Sequence, residues 1–184
     1  MRIINGTHQG KIIKVPKGLP VRPTTDFAKE GLFNILTNKI NFDEISFLDL
    51  FSGTGHISLE VASRGGKNIT AVDNDFKCVS FLKTISKEYK FDITTIKADV
   101  FEFLKTSKTP VDLIFADPPY ELETIENIHT LVFEHNLLNP NGILIIEHGP
   151  KTKLENLKHF TQHRKYGNVN FSFFGLQNAD DSAV

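Results

Sequence analysis

Leu48-Asp49-Leu50-Phe51-Ser52-Gly53-Thr54-Gly55 decides the fold of this chain. The apolar run Phe47 to Phe51 feeds a turn with two glycines, and a helix-like stretch from His56 to Arg64 follows at once, so the segment reads strand, glycine turn, helix. Outward from it the same alternation repeats. Ile69 to Val72, Ile93 to Ile96, Val111 to Ala116 and Ile143 to Ile146 are short apolar runs that read as buried parallel strands. Between them Phe76 to Tyr89, Phe101 to Lys105 and Thr124 to Phe133 read as helices; in the first, Cys78, Phe81, Leu82, Ile85 and Tyr89 share one face. Repeated strand-helix-strand units predict a doubly wound α/β sheet with its ligand crevice at the carboxyl ends of the strands.

The ends of the chain break this rhythm. Arg2 to Asn5 and Lys11 to Val15 are short β-like segments around Gly6 and Gly10, which predicts a small N-terminal β-hairpin. Arg22-Pro23-Thr24-Thr25-Asp26 then leads into a helix whose apolar stripe is Ala28, Gly31, Leu32, Ile35 and Leu36, with a Thr or Asp available as its cap. Phe160 to Tyr166 and Asn170 to Phe174, joined through Gly167, read as a closing antiparallel strand pair. Three units follow: a hairpin extension over 1–24, the main domain over 25–177, and a small polar tail over 178–184 expected to fray.

With 184 residues, 40% apolar and 23% charged, the composition is that of an ordinary globular domain. No stretch approaches the roughly 18 consecutive apolar residues of a membrane helix, and Met1 to Gly6 lacks a signal peptide's apolar segment. The single Cys78 cannot form an internal disulfide and reads as a buried filler; a cytoplasmic setting, no membrane and a monomer are the expectations. The seven histidines show no ligand spacing, so no metal site is expected. Net charge is −1, but both ends are basic: Arg2, Lys11, Lys14, Lys17, Arg22 and Lys29 precede the first core strand, and Lys151, Lys153, Lys158, Arg164 and Lys165 follow the last parallel one. Brought to one face these side chains could contact phosphates; singly, each reads equally as solvated surface.

The glycine turn fits neither phosphate-binding template. A dinucleotide loop wants a third glycine where Ser58 stands, and a Walker loop wants Gly-Lys-Ser/Thr. Asp49, just before the turn, is wrong for pyrophosphate and right for a cationic ligand such as S-adenosylmethionine, which carries an ammonium and a sulfonium. Asp73, at the end of the next strand, can accept from both ribose hydroxyls. Asp99, after the third strand, can accept from the adenine amino group. Either of these last two acids can instead cap the helix that follows. Gly53 and Gly55 allow close backbone approach.

Asp117-Pro118-Pro119-Tyr120 leaves the strand Val111 to Ala116. It reads as plain turn punctuation with an aromatic plug, or as amine chemistry. The exocyclic amine of a nucleobase is a poor nucleophile because its lone pair is delocalised into the ring. An Asp117 carboxylate oxygen and the Pro118 carbonyl can each accept one N–H, localising that lone pair toward an electrophile. The two prolines, without N–H groups, stiffen the turn and leave the Pro118 carbonyl free of local competition. Tyr120 offers a face for base stacking, worth about 1–3 kcal/mol.

Taken together, these residues resemble the class I methyltransferases that modify RNA, and within them the family that methylates guanine N2 in small-subunit ribosomal RNA. The resemblance rests on Arg2-Ile3-Ile4 with Gly10-Lys11, Arg22-Pro23-Thr24-Thr25-Asp26, Leu32-Phe33-Asn34, Leu48 to Phe51 with Gly53 and Gly55, Asp117 to Tyr120, and Lys165-Tyr166-Gly167. The Arg-Pro-Thr-Thr-Asp element is the specific one; Phe27 departs from the pattern, which usually has a basic residue after the aspartate. The resemblance implies a mostly parallel, seven-stranded Rossmann-like sheet, S-adenosylmethionine as cofactor, and 16S rRNA as substrate, within the small subunit or an assembly intermediate. It implies catalysis by Asp117, Pro118 and Tyr120, cofactor binding by Asp49, Gly53, Gly55, Asp73 and Asp99, and RNA contacts from Pro119, Arg22, Thr24, Lys11 and Lys165. The target base would be flipped out and the methyl transferred in line. Competing readings are a DNA adenine-N6 or cytosine-N4 methyltransferase, a protein-glutamine methyltransferase, and a non-catalytic nucleotide-binding scaffold.

Overall fold

A computed structural model describes residues 1–19, 25–122 and 124–176. Strands β1 (Ser46–Leu50), β2 (Asn68–Asp73), β3 (Ile93–Lys97), β4 (Val111–Ala116), β5 (Leu138–His148), β6 (Phe160–Tyr166) and β7 (Val169–Gly175) form one sheet in the order β3-β2-β1-β4-β5-β7-β6. β1 to β5 pair in parallel, and β7 runs antiparallel to both β5 and β6. The doubly wound sheet with a closing antiparallel pair is the architecture the apolar runs predict. Strand order reverses between β1 and β4, which puts the glycine turn and the Asp-Pro-Pro-Tyr loop side by side at the carboxyl edge.

Period-two alternation within buried strands sends successive side chains to opposite layers. Phe47, Phe115, Ile145, Phe171 and Phe173 face helices α1 (Asp26–Thr37) and α2 (His56–Ser63) through Leu32, Phe33, Leu36, Ile57 and Val61. Leu48, Leu50, Ile114, Leu144 and Ile146 face α4 (Val100–Thr106) and α5 (Glu126–Glu134) through Val100, Leu104, Ile128 and Val132. Helix α3 (Phe76–Glu88) lies on the α2 side, where Leu82 and Ile85 meet Leu59 and Ala71. In a chain with 16 phenylalanines and no tryptophan, fully buried Phe33, Phe47, Phe115, Phe171 and Phe173 fill the first layer, at about 1.5–3 kcal/mol each. Among the described residues no helix is long and apolar enough to cross a membrane.

Three local expectations change. Phe51 is not the last strand residue: its φ of 57° turns the chain out of β1 into the glycine loop. β5 starts well before its apolar run, at Leu138, because a register irregularity opposite Val111 to Leu113 absorbs Asn139-Pro140-Asn141-Gly142, and Asn139 Nδ2 donates to Asp112 Oδ1 at 2.8 Å. The N-terminal hairpin is reduced to one antiparallel bridge, Arg2 with Ile12, flanked by Ile3 N–H to Lys11 O and Ile13 N–H to Met1 O.

The reason lies in α2. The Ile4 and Asn5 N–H groups donate to the Glu60 carboxylate at 2.7 and 3.0 Å instead of extending a ladder. Glu60 is fully buried, accepts also from Arg64 Nε at 2.9 Å, and has Lys29 Nζ 3.5 Å away. Lys29, itself 2% exposed, donates to the Arg2 carbonyl; burial pulls its pKa down while Glu60 pulls it up. A buried carboxylate with this many donors is satisfied, whereas removing it would strand a buried cation.

Candidate active site

Gly55 adopts φ 76° as it opens α2, and a Cβ there would come within 2.3 Å of Leu82 Cδ1, so both backbone and packing demand glycine. Gly53, at φ 51°, donates its N–H to Asp73 Oδ2 at 2.7 Å. Asp73 thereby closes the turn from the neighbouring strand, and its Oδ1 accepts the Asp75 N–H at 2.8 Å. The cap of α3 is Asp75, which accepts from Cys78 N–H at 2.8 Å; sequence reasoning missed it, although an aspartate directly before a helical stripe is the usual signal. Asp99 does cap its helix, taking the Phe101 and Glu102 N–H groups on Oδ1 at 2.9 and 3.0 Å, while its side chain stays at the solvent surface.

Asp49 is the buried acid of the site. Its Oδ2 accepts from the Ser58 hydroxyl at 2.5 Å and the Ser58 N–H at 3.2 Å, so the serine that replaces a third glycine grips the carboxylate. Burial, reinforced by the nearby Asp73 charge and opposed by the Ser58 hydrogen bonds, pushes the Asp49 pKa up to about 7. An acid poised this way beneath a glycine turn, with Asp73 and Asp99 along the same edge, fits a ligand with an ammonium, a sulfonium and ribose hydroxyls. S-adenosylmethionine matches that donor set. Cys78 is buried, and burial ahead of the Asp73 and Asp75 charges pushes its thiol up to about 12, so it is an inert filler. His56 Nε2 is buried without a hydrogen-bond partner among the described residues; burial, then Lys29 and the chain's terminal ammonium, pull its pKa down to about 3 and keep the ring neutral.

Across the strand-order reversal, the Asp117 N–H donates to the Leu50 carbonyl at 3.2 Å, which ties the start of the proline loop to the end of β1 beside the glycine turn. Asp117 is half-buried, Pro118 buried and Pro119 exposed. Leu122 N–H closes the loop on the Pro119 carbonyl at 2.9 Å. The Tyr120 hydroxyl donates to Glu147 Oε1 at 3.0 Å, and a Cβ on Gly149 would stand 3.2 Å from the tyrosine Cδ2. Glu147 and Gly149 escaped sequence reasoning; the visible signal is a glutamate closing a buried run at the ligand edge.

The expected RNA contacts separate. Lys165 is exposed and pairs in register with Asn170, itself opposite His148, so it reaches the carboxyl edge. Lys11 does not. Its ammonium lies 5.4 Å from the ring centroid of Tyr89, at the C-terminal end of α3 and therefore at the opposite edge, because the hairpin lies along α2 with Thr7 N–H on the Ser63 carbonyl. Arg22 and Thr24 lie outside the described residues, as does the tail over 178–184. A hollow of about 220 Å³ lined by Lys39, Asn141, Gly142 and Phe173 lies toward the amino ends of the strands, away from this chemistry.

A family model described as conserved hypothetical protein 95 matches residues 1–175. The Haemophilus influenzae protein named ribosomal RNA small subunit methyltransferase D is 33% identical over 159 residues, covering 80% of this chain and 78% of that protein. A hypothetical protein of Thermus thermophilus superposes with a TM-score of 0.83 at 24% identity, over 96% of this chain and 99% of its own. The T. thermophilus 16S rRNA N2 methyltransferase RsmC, solved with AdoMet and guanosine, has a TM-score of 0.69 at 22% identity, over 87% of this chain and 46% of its own, and shares the fold.

Proposed function

The chain belongs to the conserved hypothetical protein 95 family of class I S-adenosylmethionine-dependent rRNA methyltransferases, and from that premise we propose that its target is the exocyclic N2 of a guanine in 16S rRNA. One observation supports the reading: the Asp117 N–H donates to the Leu50 carbonyl, tying the start of the proline loop to the strand that runs into the glycine turn. The bound cofactor supplies a methyl carbon on a positively charged sulfur. Asp49 balances cationic charge, Asp73 and Asp99 accept from hydroxyl and amino groups, and Gly53 and Gly55 shape the turn whose backbone approaches the ligand. Asp117 and the Pro118 carbonyl take the two N–H hydrogens of the guanine amine and aim its lone pair. Tyr120, held by Glu147 and backed by Gly149, stacks on the turned-out base, with Pro119 at the pocket's lip. Lys165, Arg22 and Thr24 contact the RNA backbone; Lys11, on the far edge, leaves the site. Alignment and the exclusion of water supply most of the acceleration.

Transfer of isotopic methyl to undermodified small subunits, naked 16S rRNA and plasmid DNA, followed by nucleoside analysis, tests this. N2-methylguanosine in RNA is expected. Label on another base, or on DNA, overturns the assignment.

A further inference from the structure

Two phenylalanines at helix starts, Phe27 and Phe76, are each 66% exposed. A lone exposed aromatic is ordinary, so what surrounds the ring decides what it does. Phe76 has no ring contact among the described residues. Phe27 stands edge-on to Tyr166, centroids 5.6 Å apart and planes at 80°, and Tyr166 is backed by Phe171 at 6.0 Å. The brace is built into α1: a Cβ on Gly31 would fall 2.2 Å from two Tyr166 ring atoms, so glycine there lets the tyrosine seat against the helix.

The position of this pair follows from register. Phe171 pairs with Glu147, the acid that holds the Tyr120 hydroxyl, and Tyr166 pairs with Val169, two residues nearer the carboxyl edge. Glu147, Phe171 and Tyr166 thus mark three adjacent strands on one sheet face, spanning about 12 Å from two inter-strand steps of ~4.8 Å and an offset of about two residues along the strand. On the edge strand, exposed Arg164 shares the face of Tyr166, and exposed Lys165 stands on the other face. A strand of RNA whose base enters beside Tyr120 can run along this rim.

We infer that Phe27, braced by Tyr166, is a stacking platform for an unpaired RNA base flanking the modified nucleotide. The inference rests on RNA being the substrate. Stacking is neutral, so it adds grip without adding salt dependence. In methyl transfer to the RNA substrate at saturating cofactor, Phe27→Ala and Phe27→Leu raise KM for RNA about 5- to 150-fold, the range of one base–aromatic stack. kcat, cofactor affinity by calorimetry and the slope of log KM against log salt stay at wild-type values, and Phe27→Tyr restores the wild-type KM. Unchanged KM in the alanine and leucine variants overturns the platform and leaves the RNA reading intact, as does a tyrosine variant as weak as alanine. A wild-type protein that binds cofactor and methylates no RNA ends both.

Discussion

Replacing Asp49 with asparagine should move stability and cofactor affinity in opposite directions. The carboxyl titrates near pH 7 in the folded protein, against about 3.9 in an unfolded chain, because burial disfavours its charge. Between those values the folded state holds a proton the unfolded state has lost, so stability falls as pH rises from about 4 to 7. Roughly three pKa units correspond to about 4 kcal/mol at pH 8, which Asp49→Asn recovers in large part while the asparagine carbonyl still accepts from Ser58. A bound ammonium favours the ionised carboxylate, so cofactor binding expels the proton and weakens in acid. Between pH 7.0 and 5.5 the ionised fraction falls from about 0.5 to about 0.03, predicting a roughly 16-fold rise in Kd, about 1.6 kcal/mol, in a range where the ligand's own amine stays protonated. Calorimetric titration in two buffers of different ionisation enthalpy reads both the affinity and the released proton, and thermal unfolding of the free protein reads the stability. A flat Kd over that range, or an asparagine variant with the wild-type slope, would refute Asp49 as the titrating group.

Asp117→Ala should keep cofactor affinity within a few-fold and lower single-turnover methyl transfer by orders of magnitude; unchanged transfer would remove Asp117 from the chemistry. Glu60→Ala should cost about 3–5 kcal/mol, lowering Tm by roughly 10 °C, since it strands buried Lys29 and two backbone donors. Gly55→Ala should cost about 1–2 kcal/mol from the left-handed backbone alone, more with Leu82 in the way, and calorimetry should show weakened cofactor binding. Gly149→Ala pushes the Tyr120 ring by a few tenths of an ångström, so RNA methylation should fall modestly with cofactor binding preserved.

Most of the sheet is readable because five of its strands carry short apolar runs, and the carboxyl-edge positions of Asp49, Asp73 and Asp117 are readable because each lies near the end of such a run or just after it. What escaped was interaction at long sequence separation. Glu60 looks like the polar side of an amphipathic helix, yet it is fully buried and accepts from residues 55 and 56 positions away. Glu147 looks like a strand terminus, and only the fold reveals the Tyr120 hydroxyl on it. Charge bias along a sequence carries no information about which sheet edge a hairpin tip reaches, so the position of Lys11 beside Tyr89 is not legible there. Asp75 and Asp73 could not be told apart as caps until the Gly53 N–H claimed the latter.

The Glu60 anchor also bears on how the molecule is born. Residues 1–13 leave the ribosome before α2, which carries the carboxylate that receives them, and Arg64, which steadies it, follows at its end. The opening segment therefore waits in water through the synthesis of α1 and β1, and docks as a late clasp over a partly assembled sheet.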